Sequence, residues 1–222
     1  MAKKVGVLLS GCGVFDGAEI HEAVLTLLFL DRAGASVVCM APDVDQLHVI
    51  NHLTQQVADE RRNVLVESAR IARGEIQDIS AVSADDIDAL IVPGGFGAAK
   101  NLSDFAVNGP EARVHPQVQR LLAEMAAHAK PIGAICIAPA TVVRALSKQS
   151  PEVTIGNDAG TASAIESMGG AHTVCSVSDI CVDEKNRIVT TPAYMLGPGI
   201  KDVAAGIEKL VNKILSLSGN TN

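Results

Sequence analysis

Aromatic side chains and net positive charge are both scarce in this sequence. Its 222 residues include no tryptophan, aromatic residues make up 2% of the chain, and the formal net charge is −7. Proteins that bind single-stranded nucleic acid stack the bases on aromatic side chains, and proteins that bind a phosphate backbone present a basic face. The composition therefore disfavours a nucleic-acid partner.

Cysteine pairs with the spacing of a metal site are absent as well. The five cysteines form no C-x-x-C motif, so the sequence indicates neither a metal site nor a disulfide framework, and their odd number fits a reducing compartment. The first apolar run is too short for a signal peptide or a membrane-spanning helix. We therefore expect a cytoplasmic protein that has no membrane partner.

No linker, charge block or repeat divides the chain, so a single domain over residues 1–222 is expected. Short apolar runs alternate with amphipathic segments, which is typical of an α/β fold with a parallel sheet and helical crossovers. The predicted strands are 5–10, 36–41, 89–92 and 131–135, and the predicted helices are 19–32, 116–128 and 200–217. Residues 179–182 and 188–191 predict a late β-hairpin. Residues 43–88 are expected to be irregular, with one short strand at 63–66.

The most informative segment places Cys136 between a short apolar strand and a helix. Ala134 and Ala138 lie two residues to either side, where only small residues fit in the sharp turn called a nucleophile elbow. Pro139 suits the first turn of the helix, whose N–H groups have no partner. A thiol at a helix N-terminus is expected to have a lowered pKa, which favours the thiolate. The alternative is a structural role, because free cysteine is usually buried as a small hydrophobe.

Candidate partners for the thiol lie near two other predicted strands. Glu22 follows the first strand, in a helix that is apolar on most sides, and burial of its carboxyl would raise the pKa. A neutral Glu22 can donate a hydrogen bond or carry a proton. Gly95 follows the strand at 89–92, so its amide and the amide of Ile137 are candidate oxyanion donors. The alternative for Gly95 is an ordinary turn.

Two other catalytic or binding motifs are incomplete. A Cys-His-acid triad needs an imidazole to activate the thiol, and His172, the one histidine after Cys136, has no acidic residue two places on. Residues 11–17 follow the first strand, but their glycine spacing does not match a dinucleotide-binding fingerprint. This turn, the turn at 93–97 and the elbow all follow strand ends, where open α/β sheets bind ligands. We therefore expect them to form one site.

The segments that carry these candidates resemble a known family. Residues 134–139 (AICIAP), 92–95 (VPGG) and 17–22 (GAEIHE) resemble the PfpI and protein-deglycase branch of the class I glutamine-amidotransferase-like superfamily. Three further segments are similar to its glyoxalase-like ElbB subgroup: residues 10–17 (SGCGVFDG), 49–54 (VINHLT) and 190–195 (TTPAYM). The similarity extends over nearly the whole chain.

The resemblance implies a flavodoxin-like three-layer sandwich with a mostly parallel, doubly wound sheet, and usually a homodimer. It also implies a reactive Cys136 hydrogen-bonded to Glu22, with oxyanion donors at Gly95 and Ile137. Relatives with glyoxalase or deglycase activity carry a histidine directly after the cysteine or in the segment beyond the following helix. Ile137 and Asn157 stand at those positions here. Asn157 is then a substrate-orienting residue that cannot act as a base.

The favoured function is that of a glyoxalase III-like lyase. It would convert a small dicarbonyl such as glyoxal to a hydroxy acid through a Cys136 hemithioacetal, without glutathione, cofactor or metal, and with weak turnover. One alternative is a non-enzymatic redox or stress-response protein in which Cys136 is reversibly oxidised. A glutaminase subunit ranks third because the triad histidine is missing. A connection with isoprenoid biosynthesis is implied only by the similarity to the ElbB subgroup.

Overall fold

The computed structural model describes residues 2–219, which are built around a seven-stranded sheet. The strands in chain order are β1 (Lys4–Leu8), β2 (Ser36–Ala41), β3 (Ile50–Asn51), β4 (Gln56–Val57), β5 (Ile76–Asp78), β6 (Ala89–Val92), β7 (Ile132–Ile135), β8 (Glu152–Val153), β9 (Ala171–His172), β10 (Cys181–Asp183) and β11 (Ile188–Thr191). The α-helices are α1 (Ile20–Arg32), α2 (Val64–Ile71), α3 (Phe96–Lys100), α4 (Phe105–Asn108), α5 (Pro116–Ala127), α6 (Ala138–Ala145), α7 (Ala159–Ser167) and α8 (Ile200–Ser218).

The sheet has the strand order β10-β11-β7-β6-β1-β2-β5. Every neighbouring pair is parallel except β10 and β11, which form the antiparallel hairpin predicted late in the chain. From β1 the chain first builds outward to β2 and β5, then returns to β6 on the other side. The predicted α/β, flavodoxin-like fold is therefore confirmed, and the direction of winding reverses between β1 and β6, where such sheets bind ligands.

Apolar side chains on both faces of the sheet explain why the central strands are continuous hydrophobic runs. Successive residues of a strand point to opposite faces, and Val7 and Leu8 of β1 accordingly belong to two different buried clusters. Leu8 packs in a cluster with Leu121 of α5, and Val7 packs in a cluster with Leu210 of α8. Helices α1 and α8 pack against each other on this second face.

The strand predicted at residues 63–66 is wrong. Asn63 is the N-cap of α2, and its side-chain oxygen accepts a hydrogen bond of 3.0 Å from the Val66 N–H. The β-branched residues Val64 and Val66 suggested a strand, but only Val64 is buried, while Val66 is 62% exposed on the helix. The capping group and the one-sided burial of a helix therefore override the local β propensity.

Residues 43–88 were expected to be irregular, but besides α2 they contain the β3–β4 hairpin and the strand β5, and the pairing of β8 with β9 was not predicted either. Each contains strands of two or three residues, too short to produce a readable alternation. Between residues 2 and 219, no helix is long and apolar enough to cross a membrane.

Candidate functional site

Cys136 occupies the sharp turn between β7 and α6. Its φ is +62°, in the left-handed region that residues other than glycine rarely adopt. The turn is held from the neighbouring strand, because the Cys136 N–H donates a hydrogen bond of 3.0 Å to the Thr191 carbonyl oxygen. Ala134 and Ala138 are fully buried on either side. A strained cysteine at a strand-to-helix turn is the geometry of a nucleophile elbow.

Glu22 of α1 brings a fully buried carboxyl group to this cysteine. The carboxyl lies beside the Cys136 side chain, since a Cβ added at Gly94 would come within 2.5 Å of the Cys136 Cβ and 2.7 Å of the Glu22 Oε2. Its Oε2 accepts a hydrogen bond of 2.9 Å from the Gly94 N–H, and its Oε1 accepts one of 3.3 Å from the Tyr194 N–H. The structure therefore brings together the two residues that the sequence offered as the catalytic pair.

Burial controls the protonation of both groups. Burial and the nearby Glu19 carboxylate raise the pKa of Glu22 to about 8, although the N–H groups of Tyr194 and Gly94 oppose the shift. Burial and the Glu22 carboxylate raise the pKa of the Cys136 thiol well above its ordinary value, with the N–H groups of Gly95 and Ile137 acting in the opposite direction. Both groups are therefore protonated at neutral pH.

The expectation that the elbow lowers the pKa of Cys136 is thus wrong. Only 8% of Cys136 is exposed, so the loss of hydration penalises the thiolate more than the N-terminus of α6 stabilises it. Burial of this kind depends on packing from α1, β6 and β11, and no pattern around Cys136 in the sequence reveals it.

Gly95 and Ile137 direct their N–H groups at the sulfur atom, where they lower the thiol pKa. Gly95 has a φ of +90°, and a Cβ there would lie 2.4 Å from the Glu19 nitrogen and 2.5 Å from the Gly17 oxygen. Only glycine fits this position, because both neighbours are backbone atoms. The proposed role of these amides toward an oxyanion stays a prediction.

A cavity of about 380 Å³ reaches Cys136. Its lining residues come from the first turn, α1, α3, the elbow, α7 and the turn after β11: Val14, Glu19, Gly95, Phe96, Cys136, Ile137, Asp158, Thr161, Tyr194 and Met195. Asn157 is exposed and is not among them, whereas its neighbour Asp158 is. The substrate-orienting role of Asn157 therefore stays a prediction without a contact in the cavity.

Sequence reasoning missed Glu19, Tyr194 and Asp158, all of which line the cavity. It also missed that the His21 Nδ1 lies 2.7 Å from the Tyr194 hydroxyl oxygen, a contact across 173 positions of the chain. In the sequence, Tyr194 was indicated only by its position in residues 190–195, one of the segments similar to the ElbB subgroup. His172 lies elsewhere and accepts a hydrogen bond of 3.4 Å from the Ile155 N–H.

The part of the chain that the structure describes has no group of three or more His, Cys, Asp and Glu side chains arranged to hold a metal ion. All five cysteines lie within it, and all are free thiols: Cys12, Cys39, Cys136, Cys175 and Cys181.

The parallel sheet and the cysteine elbow together define a class I glutamine amidotransferase-like protein. The chain belongs to the DJ-1/PfpI family, whose model matches residues 7–194. It is 49% identical to the human protein named glutamine amidotransferase-like class 1 domain-containing protein 3, mitochondrial, over 98% of this chain and 84% of that protein. It is 36% identical to the zebrafish (Danio rerio) ES1 protein, mitochondrial, over 86% of this chain and 76% of that protein.

Two solved structures have a similar fold. An isoprenoid biosynthesis protein with an amidotransferase-like domain from Ehrlichia chaffeensis superimposes with a TM-score of 0.92 at 39% identity, covering 97% of this chain and 99% of that one. DJ-1beta of Drosophila melanogaster superimposes with a TM-score of 0.54 at 20% identity, covering 99% and 97%. The second likeness concerns the fold alone.

Gly94→Ala is expected to destabilise the protein by about 2 kcal/mol or more. An added Cβ would lie 2.5 Å from the Cys136 Cβ, 2.7 Å from the Glu22 Oε2 and 2.8 Å from the Ile135 carbonyl oxygen. Denaturant unfolding measures the change. Gly160→Ala in α7 is the control, because its nearest neighbour is 3.6 Å away and alanine favours a helix. Equal stability of the two variants would contradict this packing.

The raised pKa of Glu22 predicts a specific dependence of stability on pH. Because the folded state binds this proton more tightly than the unfolded state, the stabilisation is complete below pH 4.5 and is lost as the pH rises through about 8. From pH 4.5 to about 8, the free energy of unfolding of the wild type should therefore fall relative to that of Glu22→Gln, by roughly a few kcal/mol. The exposed Glu208→Gln control should follow wild type in thermal unfolding. A constant difference for Glu22→Gln would contradict the raised pKa.

Proposed function

We propose that this chain is an ElbB-type glyoxalase III-like lyase, which converts a small dicarbonyl such as glyoxal and one water molecule to a hydroxy acid. The observation that supports it most is the buried Glu22 carboxyl beside Cys136, which lines the cavity. A thiol supplies the nucleophile, and a carboxyl with a pKa of about 8 can both accept and donate a proton near neutral pH.

In the first step, the Cys136 sulfur adds to an aldehyde carbon and the carbonyl oxygen takes up the thiol proton, which gives a hemithioacetal. The N–H groups of Gly95 and Ile137 point at the sulfur, so they lie beside the carbon that bonds to it. Two backbone donors at such a place stabilise the negative charge that develops on the oxygen.

In the second step, the Glu22 carboxylate removes the proton from the sulfur-bearing carbon and returns it to the adjacent carbon. The product is a thioester of the hydroxy acid, with no net change in protons. Water then cleaves the thioester, which releases the acid and restores the thiol. Glu22 is held for this transfer by the N–H groups of Gly94 and Tyr194, which fix its two oxygens.

Two features of the site support weak turnover. Within the described residues, no histidine forms a hydrogen bond with Cys136, since the imidazole of His21 contacts the Tyr194 hydroxyl instead. The raised pKa of the thiol also reduces the fraction of thiolate at neutral pH. The same burial disfavours the redox alternative, because peroxide reacts fastest with exposed thiols of low pKa.

Cys136→Ala should abolish the formation of glycolate from glyoxal, because the covalent intermediate needs the sulfur. Glycolate is measured by chromatography after incubation of the purified protein with glyoxal. Cys175→Ala serves as the matched control, because Cys175 is a half-exposed cysteine that does not line the cavity, and it should retain the wild-type rate. Equal rates for wild type and Cys136→Ala would exclude this function.

The homodimer is also a proposal, and it is supported by an apolar stripe on α1. Ile20, Val24 and Leu28 follow one another at helical spacing and are 42%, 48% and 39% exposed, while the opposite face of α1 packs against α8. Apolar side chains that share one exposed helix face are typical of a protein interface. We propose that this face contacts a second copy of the chain.

Val24→Asp should convert the dimer to a monomer, because a charged side chain would be desolvated in the interface. Light scattering on the eluting protein measures the mass in solution. Val107→Asp is the control: Val107 is 62% exposed on α4, away from the stripe, and this variant should remain a dimer. A wild-type protein that elutes as a monomer would contradict the proposal.

A cytoplasmic location remains our proposal for this chain, and it rests on the sequence alone. The word mitochondrial in the names of the human and zebrafish proteins describes those proteins. A role in isoprenoid biosynthesis is likewise a proposal, supported by the name of the similar Ehrlichia chaffeensis protein.

A further inference from the structure

We propose that the Cys136 cavity admits neutral and cationic carbonyl compounds and rejects those that carry a carboxylate or phosphate group. The chemical class of the ligand, a carbonyl compound, rests on the proposed function, whereas the charge preference is a property of the cavity itself. It is carried by the charges that line the cavity and by the way in which the neighbouring helix N-termini are capped.

Two carboxylates line the cavity from different helices. Glu19 is the N-cap of α1 and is 8% exposed, and Asp158 is the exposed N-cap of α7. The hydrogen bond that Asp158 accepts from Thr161 lowers the pKa of its carboxyl, so Asp158 is ionised at neutral pH. An anion in the cavity would meet negative charge from both sides.

The helix N-termini around the cavity would ordinarily attract an anion, but carboxylates already occupy two of them. The Glu22 N–H donates a hydrogen bond of 2.7 Å to the Glu19 Oε2, and the Thr161 N–H donates one of 2.7 Å to the Asp158 Oδ1. The N–H groups of Gly95 and Ile137 are directed at the sulfur. These donors therefore suit an oxyanion on a bound carbonyl rather than a permanent anion further out.

No cationic side chain compensates for the two carboxylates: over residues 2–219, no lysine, arginine or histidine lines this cavity. Two basic side chains that contact lining residues, His21 and Lys100, have other partners. His21 contacts the Tyr194 hydroxyl. The Lys100 ammonium lies 5.1 Å from the centroid of the Phe96 ring and donates a hydrogen bond of 3.0 Å to the Phe15 carbonyl oxygen.

The apolar residues that line the cavity strengthen the exclusion of anions. Val14, Phe96, Ile137 and Met195 form apolar walls, and charges interact more strongly beside such walls than in water. A small neutral aldehyde loses little hydration free energy when it enters the cavity. An anion loses much more and gains no counter-ion in return. A volume of about 380 Å³ accommodates a small molecule of either kind, so charge rather than size decides between them.

Thiol reagents of different charge test this preference without any need for turnover. The probes are methanethiosulfonates with a trimethylammonium-ethyl, an ethyl or a sulfonato-ethyl group, and mass spectrometry of the Cys136 peptide gives the rate of modification. The cationic and neutral probes should modify Cys136 at least about tenfold faster than the anionic probe. The half-exposed Cys175 provides a reference rate for each probe in the same sample.

Asp158→Asn should reduce this charge preference several-fold, because it removes one of the two charges and keeps a side chain that caps a helix well. Glu19→Gln tests the second carboxylate in the same way. Asp85→Asn is the control, since Asp85 is exposed and does not line the cavity, and it should leave the preference unchanged. Added salt should weaken the preference in the wild-type protein.

An anionic probe that modifies Cys136 as fast as the neutral one would overturn the inference, and so would a Cys136 that none of the three probes modifies. The proposed function has a separate readout. If glyoxal gives no glycolate but the probe rates differ as expected, the lyase proposal fails and the charge preference stands. If 4,5-dioxopentanoate, a ketoaldehyde that carries a carboxylate, is converted as fast as methylglyoxal, the charge preference fails and the lyase proposal stands.

Discussion

The close approach of the buried Glu22 carboxyl and the buried Cys136 thiol is the interaction on which the site depends. Both groups are withdrawn from water, so neither ionises at its ordinary pH, and each holds a proton at neutral pH. The surrounding backbone is arranged to keep them together. Gly94 leaves no room for a side chain between them, and its N–H holds the Glu22 Oε2. Proton transfer near neutral pH follows from this burial.

The winding of the sheet explains why these groups meet. Helix α1, which carries Glu22, begins after β1. The Gly94 turn follows β6, the neighbour of β1, and the elbow follows β7, the next strand beyond β6. Their carboxyl ends therefore share one edge at the point where the winding reverses. β11 completes the arrangement, because the Thr191 carbonyl oxygen holds the Cys136 N–H and keeps the cysteine in its left-handed conformation.

Local patterns were sufficient to predict the buried strands, the late hairpin and the elbow, because apolar runs and small residues can be recognised from neighbouring positions in the sequence. They also placed Glu22 correctly on the first helix and Gly95 on the turn after β6. They failed where tertiary packing decides: Asn63 caps a helix that looked like a strand, and burial reverses the expected shift in the pKa of Cys136. The contact between His21 and Tyr194 joins positions too far apart for any local pattern to indicate it.

Infrared difference spectroscopy on protein with isotope-labelled glutamate tests the protonation of Glu22 most directly. A protonated carboxyl has a carbonyl stretching band that an ionised carboxylate lacks, and the Glu22→Gln variant identifies the band that belongs to Glu22. With a pKa of about 8, Glu22 should show this band at neutral pH and lose it in alkaline solution. A Glu22 that is already ionised at neutral pH would contradict the account, because a pKa of about 8 keeps this carboxyl protonated there.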